Sequence, residues 1–205
     1  MLNMDLKSTY NYIAEDWTKD HENDTWWIAG TDKFASYLKQ GRSVLDVGCA
    51  SGMKSEYLAK KGFVVTGVDF SGKMIELAQK RMPSRFFFVR DINEPLNLKS
   101  KFDGIFAQAV LLHVPKNNIK KVLGNLLELL KSNGYIYIAV KKVNEGQIEE
   151  QVIKENDYGY EYERFFSFYT LDEMRGYLEE FGLKIVYSDV ISTGKTEWIQ
   201  VIAQK

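Results

Sequence analysis

The stretch Val44-Leu45-Asp46-Val47-Gly48-Cys49-Ala50-Ser51-Gly52 constrains this chain more than any other. An apolar, β-branched run leads into an acid and then into small residues, and a helical pattern follows from Lys54 to Lys61. That order predicts a strand, a tight turn and a helix start. Gly48 and Gly52 carry no Cβ, so a ligand can lie against their backbone, and either can take a positive φ. The free N–H groups of the next helix face the same ligand.

Spacing separates three ligands for such a loop. A dinucleotide fingerprint, G-x-G-x-x-G, places Ala50 and Met53 where the second and third glycines belong. A P-loop needs G-x-x-x-x-G-K-[ST], and Gly48 to Ser55 reads G-C-A-S-G-M-K-S, with the second glycine one place early. The third pattern, acid-apolar-G-x-G-x-G, belongs to S-adenosylmethionine loops. The chain fits it at Asp46, Gly48 and Gly52 and departs at Ala50. Alanine there implies a small side chain and a negative φ.

A second strand, Phe63 to Asp69, also ends in an acid. Asp69 lies about twenty residues after the loop, where a carboxylate can accept from both hydroxyls of an adenosine ribose. Ser71 opens another helix with Met74, Leu77 and Ala78 on one face. A glycine loop, a strand-terminal acid and a repeating β-α-β rhythm coincide. The chain therefore resembles the class I S-adenosylmethionine-dependent methyltransferases of small-molecule type, like the domains of ubiquinone and menaquinone biosynthesis. Val44–Gly52 and Val65–Ala78 carry its first two motifs. Arg90-Asp91-Ile92, Phe102–Phe106 through Leu112–Pro115, and Leu130–Ile136 resemble the later ones. The resemblance implies one α/β domain over residues 1–205. Its Rossmann-like sheet would have seven strands, mostly parallel, with helices on both faces and a C-terminal antiparallel hairpin.

The same resemblance assigns roles. Asp46, Gly48, Cys49, Ala50, Gly52, Asp69, Phe70, Met74, Asp91, Ile92 and Gln108 would surround S-adenosylmethionine and its product S-adenosylhomocysteine. Cys49 is read as a small buried packing residue, since no nearby cation would lower its pKa. Asp91 would meet the adenine amino group, Ile92 and Phe70 its ring, and Gln108 the neighbourhood of the methyl group. His113 has two readings. It is either a general base or, the reading given more weight, a structural histidine bonding the backbone of its turn.

Residues 1–40 are rich in aromatics and compatible with short helices over Thr9–Trp17 and Asp32–Leu38. They form an expected lid or cap, with Tyr10, Tyr12 and Trp17 as candidates to cover the site. Trp26 and Trp27 are adjacent and so point different ways, one to core and one to the pocket. Asn117 to Lys131 carries a helical apolar stripe. Residues 142–169 form a substrate-pocket insertion, where Tyr160, Arg164 and Phe165 could hold an acceptor. Arg164 would bind a carboxylate or pair with Glu161 or Glu163. Thr170 and Glu173 spell a capping box, and Ser192–Lys195 joins two final strands.

Composition excludes several classes. Lys and Arg total 27 against 28 Asp and Glu, so no nucleic-acid partner is implied. Apolar stretches are strand-sized, no signal peptide is evident, and one cysteine suits a reducing, cytoplasmic setting. Two histidines far apart give no metal pattern. The expected function is in-line methyl transfer to a small-molecule acceptor. The rivals are a non-catalytic cofactor-binding module and a nicotinamide oxidoreductase.

Overall fold

The structure, a computed structural model, describes residues 5–205; residues 1–4 of the expected cap lie outside it. Two helices open the chain, α1 (Leu6–His21) and α2 (Ile28–Ser36). Then come β1 (Ser43–Val47), α3 (Met53–Lys60), β2 (Val64–Asp69), α4 (Gly72–Arg81), β3 (Phe86–Val89), β4 (Phe102–Gln108), α5 (Ile119–Glu128) and β5 (Leu130–Lys141). The last part holds β6 (Glu150–Glu155), β7 (Tyr162–Ser167), α6 (Leu171–Glu180), β8 (Lys184–Thr193) and β9 (Thr196–Gln204).

Seven strands form one sheet in the order β3-β2-β1-β4-β5-β9-β8. Strands β1 to β5 pair in parallel, and β9 runs antiparallel to both β5 and β8. This is the expected Rossmann-like sheet with its terminal hairpin. Val44, Leu45, Asp46 and Val47 are all buried, as a central parallel strand covered on both faces requires. Strand order reverses between β1 and β4, which opens a crevice at their C-terminal ends.

Helix packing supplies the core. On α5, Ile119, Val122, Leu123, Leu126 and Leu127 are buried along one face. At roughly 2 kcal/mol per buried side chain, that stripe contributes on the order of 10 kcal/mol before entropy is counted. Ser71 caps α4 by accepting from Met74, and Thr170 with Glu173 forms the expected capping box of α6.

Four boundaries differ from the sequence reading; the second helix spans Ile28–Ser36 rather than the expected Asp32–Leu38. The first helix is longer, running from Leu6 to His21, because Asp5 caps it by accepting from the Ser8 amide. The helix expected to reach Lys131 stops at Glu128. Leu130 already pairs with Phe102, and an irregularity in the ladder separates that pair from the regular run at Tyr135. The insertion contains the antiparallel hairpin β6–β7 rather than a plain loop.

Candidate active site

A cleft enclosing about 790 Å³ of free space, including its open mouth, sits over the C-terminal ends of β1 to β4. Gly48, Asp69, Arg90 and Gln108 reach it from those four strand ends.

The loop after β1 is shaped by three residues with positive φ. Gly48 has φ 68°, and its N–H bonds the Val68 carbonyl at 2.8 Å. A Cβ there would stand 2.6 Å from Cβ of Val110. Gly52, φ 81°, begins α3, and a Cβ on it would meet Cβ of Ala78 at 3.2 Å. Its missing side chain therefore serves the packing of α4 rather than ligand approach. Ala50 corrects the sequence reading: its φ is 47°, left-handed rather than negative. The Asp69 carboxylate holds it there, accepting the Ala50 N–H at 3.0 Å. Ala109, after β4, is also left-handed at φ 56°, and both alanines line the cleft. An L-residue in this region costs about 1–2 kcal/mol, which glycine avoids. Ala50→Gly is therefore expected to stabilise the protein by on the order of 1 kcal/mol, net of glycine's own entropy cost. The urea midpoint reads it; a lower midpoint would mean that the Ala50 methyl group contributes packing.

Asp46, Cys49 and Gly52 lie behind the cleft wall, not in its lining. Asp46 is 1 % exposed and accepts from the Ser55 hydroxyl at 2.6 Å, tying β1 to α3. Burial raises its pKa to about 6. The Cys49 side chain packs with Ile75, Ala78, Met82 and Phe87, and burial followed by Asp69 and Asp46 pushes its thiol up, against any nucleophilic use.

Asp69 faces the cleft. One carboxylate oxygen accepts from Ser71 N at 2.8 Å and the other from Ala50 N. Each oxygen keeps a further lone pair for a ligand. Burial raises this carboxyl to about 6 against the pull of those amides. Phe70, Met74, Asp91 and Ile92 also line the cleft, as expected. Asp91 accepts twice from Asn93 through one oxygen, at 2.9 and 2.8 Å. Gln108 is 3 % exposed, and neither its amide nitrogen nor its amide oxygen has a partner among the described residues. A buried amide in a cleft wall without partners is costly unless a ligand or water meets it.

Helix α1 closes one side with Tyr10 and Trp17. The Tyr10 hydroxyl lies 2.7 Å from Nε2 of His113, and Nδ1 of His113 lies 2.7 Å from the Phe165 carbonyl. A carbonyl only accepts, so Nδ1 carries the proton and Nε2 accepts from Tyr10. Burial holds the His113 pKa down, to about 3, and the Arg164 and Lys141 charges add to the effect. The ring thus pins α1 to β7 and does not bond the backbone of its own turn. By NMR, His113 is expected to stay the neutral Nδ1–H form at pH 5; a ring titrating near pH 6.5 would contradict this placement.

The remaining candidates stand outside the lining. Tyr12 is 54 % exposed and packs 4.7 Å from the ring of Tyr160, whose hydroxyl donates to Asp16 at 2.6 Å. Arg164 makes a two-pronged ion pair with Glu155 at 2.5 Å, not with Glu161 or Glu163. Hairpin register decides this, setting Glu155 opposite Tyr162 and Ile153 opposite Arg164. Phe165 contributes its carbonyl. Neither adjacent tryptophan lines the cleft: Trp26 stacks on Trp198 at 4.2 Å, and Trp27 packs edge-on to Tyr57 at 5.1 Å. Leu6, Lys54, Arg90, Asn93, Ala109, Val110 and Val114 line the cleft and were not singled out from sequence. All but Leu6 sit within a few residues of a motif, which is the signal that pointed there.

This sheet, with a cleft over the ends of its parallel strands, defines a Rossmann-like α/β domain. The methyltransferase-domain family matches residues 20–188, and the chain belongs to that family. Ubiquinone biosynthesis O-methyltransferases of Pelagibacter ubique and Coxiella burnetii are each 34 % identical to it. The first alignment covers 62 % of this chain and 50 % of the relative, the second 49 % and 44 %. The chain thus spans about half the length of the curated relatives it matches. Among solved structures, the 1,6-didemethyltoxoflavin-N1-methyltransferase of Burkholderia thailandensis superposes with a TM-score of 0.78 at 20 % identity, over 98 % of this chain and 87 % of that one. The magnesium protoporphyrin IX methyltransferase of Synechocystis PCC 6803 gives 0.74 at 18 % identity, over 100 % and 99 %. These likenesses bear out the fold. Among the described residues, no helix is long and apolar enough to cross a membrane, and no cluster of His, Cys, Asp or Glu suits a metal ion.

Proposed function

We propose that the cleft binds S-adenosylmethionine and that the chain transfers its methyl group to a small-molecule acceptor. The observation that carries this reading is Asp69: a buried carboxylate at the end of β2, fixed by two amides, with one lone pair per oxygen left for the ribose hydroxyls. Asp91, Ile92 and Phe70 flank it where an adenine would lie. The partnerless Gln108 amide suits the reacting end. The two solved relatives above carry S-adenosylhomocysteine or S-adenosylmethionine, and their names give small-molecule acceptors.

When bound, the cofactor supplies a methyl carbon activated by its sulfonium. The protein's task is then alignment and exclusion of water. Gly48 lets the ligand approach the loop, Tyr10 and Trp17 shield the cleft, and neutral His113 positions Tyr10. With its pKa held down to about 3 by burial, His113 is a poor general base, so an acceptor either arrives deprotonated or passes its proton to water after the transfer. The nicotinamide rival lacks its fingerprint, as Ala50 and Met53 replace two glycines.

Incubation with methyl-tritiated S-adenosylmethionine and a panel of phenols, catechols and heteroaromatic amines tests the proposal. Label is expected in at least one product above the enzyme-free blank, and not with Asp69→Ala. Tight cofactor binding with no transfer to any acceptor class would favour the non-catalytic module.

A further inference from the structure

Lys141 is the last residue of β5 and is half-buried. Its Nζ lies 4.3 Å from the centroid of the Phe166 ring, and the guanidinium carbon of Arg164 lies 5.2 Å from the same centroid. Two cations thus share one ring, whose face attracts either of them but neutralises neither. Both oxygens of Glu155 are taken by Arg164, at 2.5 Å. Among the described residues no carboxylate hydrogen-bonds Lys141, and Glu155 acts on it through charge alone. Burial lowers the Lys141 pKa, and the Arg164 charge lowers it further. Other half-buried lysines are paired: Lys116 with Glu149 at 2.7 Å and Glu173 at 2.8 Å, and Lys142 with Glu197 at 2.8 Å. With Lys141 protonated, the group of Lys141, Arg164 and Glu155 carries one positive charge in excess. Its surroundings are apolar, where such repulsion is weakly screened.

This group stands beside the reacting end of the cleft. Gln108 ends β4 and pairs with Ala139, and β5 runs two residues further to Lys141. The Ala139 carbonyl accepts the Ala109 N–H at 2.9 Å. Strand spacing and rise then put the Cα atoms of Gln108 and Lys141 about 8 Å apart. His113, in the cleft lining, has its ring 4.9 Å from that of Phe166. Tyr10, also in the lining, accepts from Nη1 of Arg164 at 3.4 Å. Asp69 ends β2, on the other side of β1. A cofactor seated on Asp69 with its reacting end at Gln108 therefore leaves the β5 side to the acceptor. Resting on the function proposed above, we infer that the acceptor is an anion whose carboxylate is bound by Lys141. Glu155 offsets the charge of Arg164, so the excess charge that selects an anion is that of Lys141.

NMR titration of the S-adenosylhomocysteine-loaded protein with benzoate and with benzamide tests this. The two probes share ring and shape and differ in charge. Wild type is expected to bind benzoate about tenfold or more tightly than benzamide, the effect of a hydrogen bond to a charged group. Lys141→Met should remove that preference and leave benzamide within about twofold. Lys141→Arg, which keeps the charge, should retain most of the preference. Lys142→Met removes an equal charge at the next residue and should leave it unchanged. Equal or undetectable binding of the two probes by loaded wild-type protein would overturn the inference and leave the cofactor site standing. A preference that survives Lys141→Met, including through equal weakening of both probes, would overturn it as well. Folded wild-type protein that does not take up S-adenosylhomocysteine would remove the functional reading itself, and the inference with it.

Discussion

Asp69→Ala is expected to weaken S-adenosylhomocysteine binding by about 100-fold or more. Two ribose hydroxyls donating to a buried carboxylate are each charge-assisted, worth roughly 1.5–3 kcal/mol. Their combined loss exceeds a factor of 100. Alanine also orphans the amides of Ala50 and Ser71, which would loosen the loop. Asp69→Asn separates the effects, because its carbonyl oxygen still accepts from one amide. The same carboxylate sets a pH dependence. Its pKa in the free protein is raised to about 6, chiefly by burial. Ribose hydroxyls favour the ionised form, so the bound protein holds a lower pKa. Below pH 6 binding must therefore release a proton, and affinity falls as pH falls, by at most about tenfold per unit. Above pH 6 it is flat with respect to this group. The sign for folding of the free protein is opposite: the raised pKa gives stability present below the unfolded value of 3.8 and lost as pH rises through 6. Titrations at pH 5, 6 and 7.5 read the binding slope. An affinity that rises toward pH 5 would contradict the carboxylate's role.

Gly48→Ala is expected to damage both stability and binding. The new methyl group would stand 2.6 Å from two atoms of Val110, far inside contact distance. It would also sit at φ 68°, which costs an L-residue about 1–2 kcal/mol. Overpacking adds roughly 1–3 kcal/mol. Together they suggest a loss near 3 kcal/mol, or about 6–12 °C in melting temperature for a chain of this size. Val110 lines the cleft, so its displacement should reduce cofactor affinity too. A variant that melts and binds like wild type would show that the turn relaxes freely around Val110.

The contrast between Gly48 and Ala50 shows what the chain reveals before folding. The strand–turn–helix, Asp69 at the next strand end and the Thr170 capping box follow from local spacing, and all are found in place. The sign of φ at Ala50 is not local. It is set by the Asp69 carboxylate, nineteen positions on, which captures the Ala50 amide. The pairing of Arg164 with Glu155 is not local either. The acids at 161 and 163 are nearer in sequence, but the hairpin folds Glu155 back across. Strand β6 shows no apolar alternation; Val152 is 59 % exposed, so no buried face marked it. Leu130 continued the apolar stripe of α5, and only its pairing with Phe102 assigns it to a strand.

The most direct measurement is calorimetric titration of folded, ligand-free protein with S-adenosylhomocysteine at pH 7.5, with Asp69→Ala alongside. Saturable one-to-one binding by wild type, reduced about 100-fold or more in the variant, is the predicted result. No heat from wild-type protein whose melting shows it folded, repeated in the presence of the acceptor panel, would contradict the assignment of this cleft.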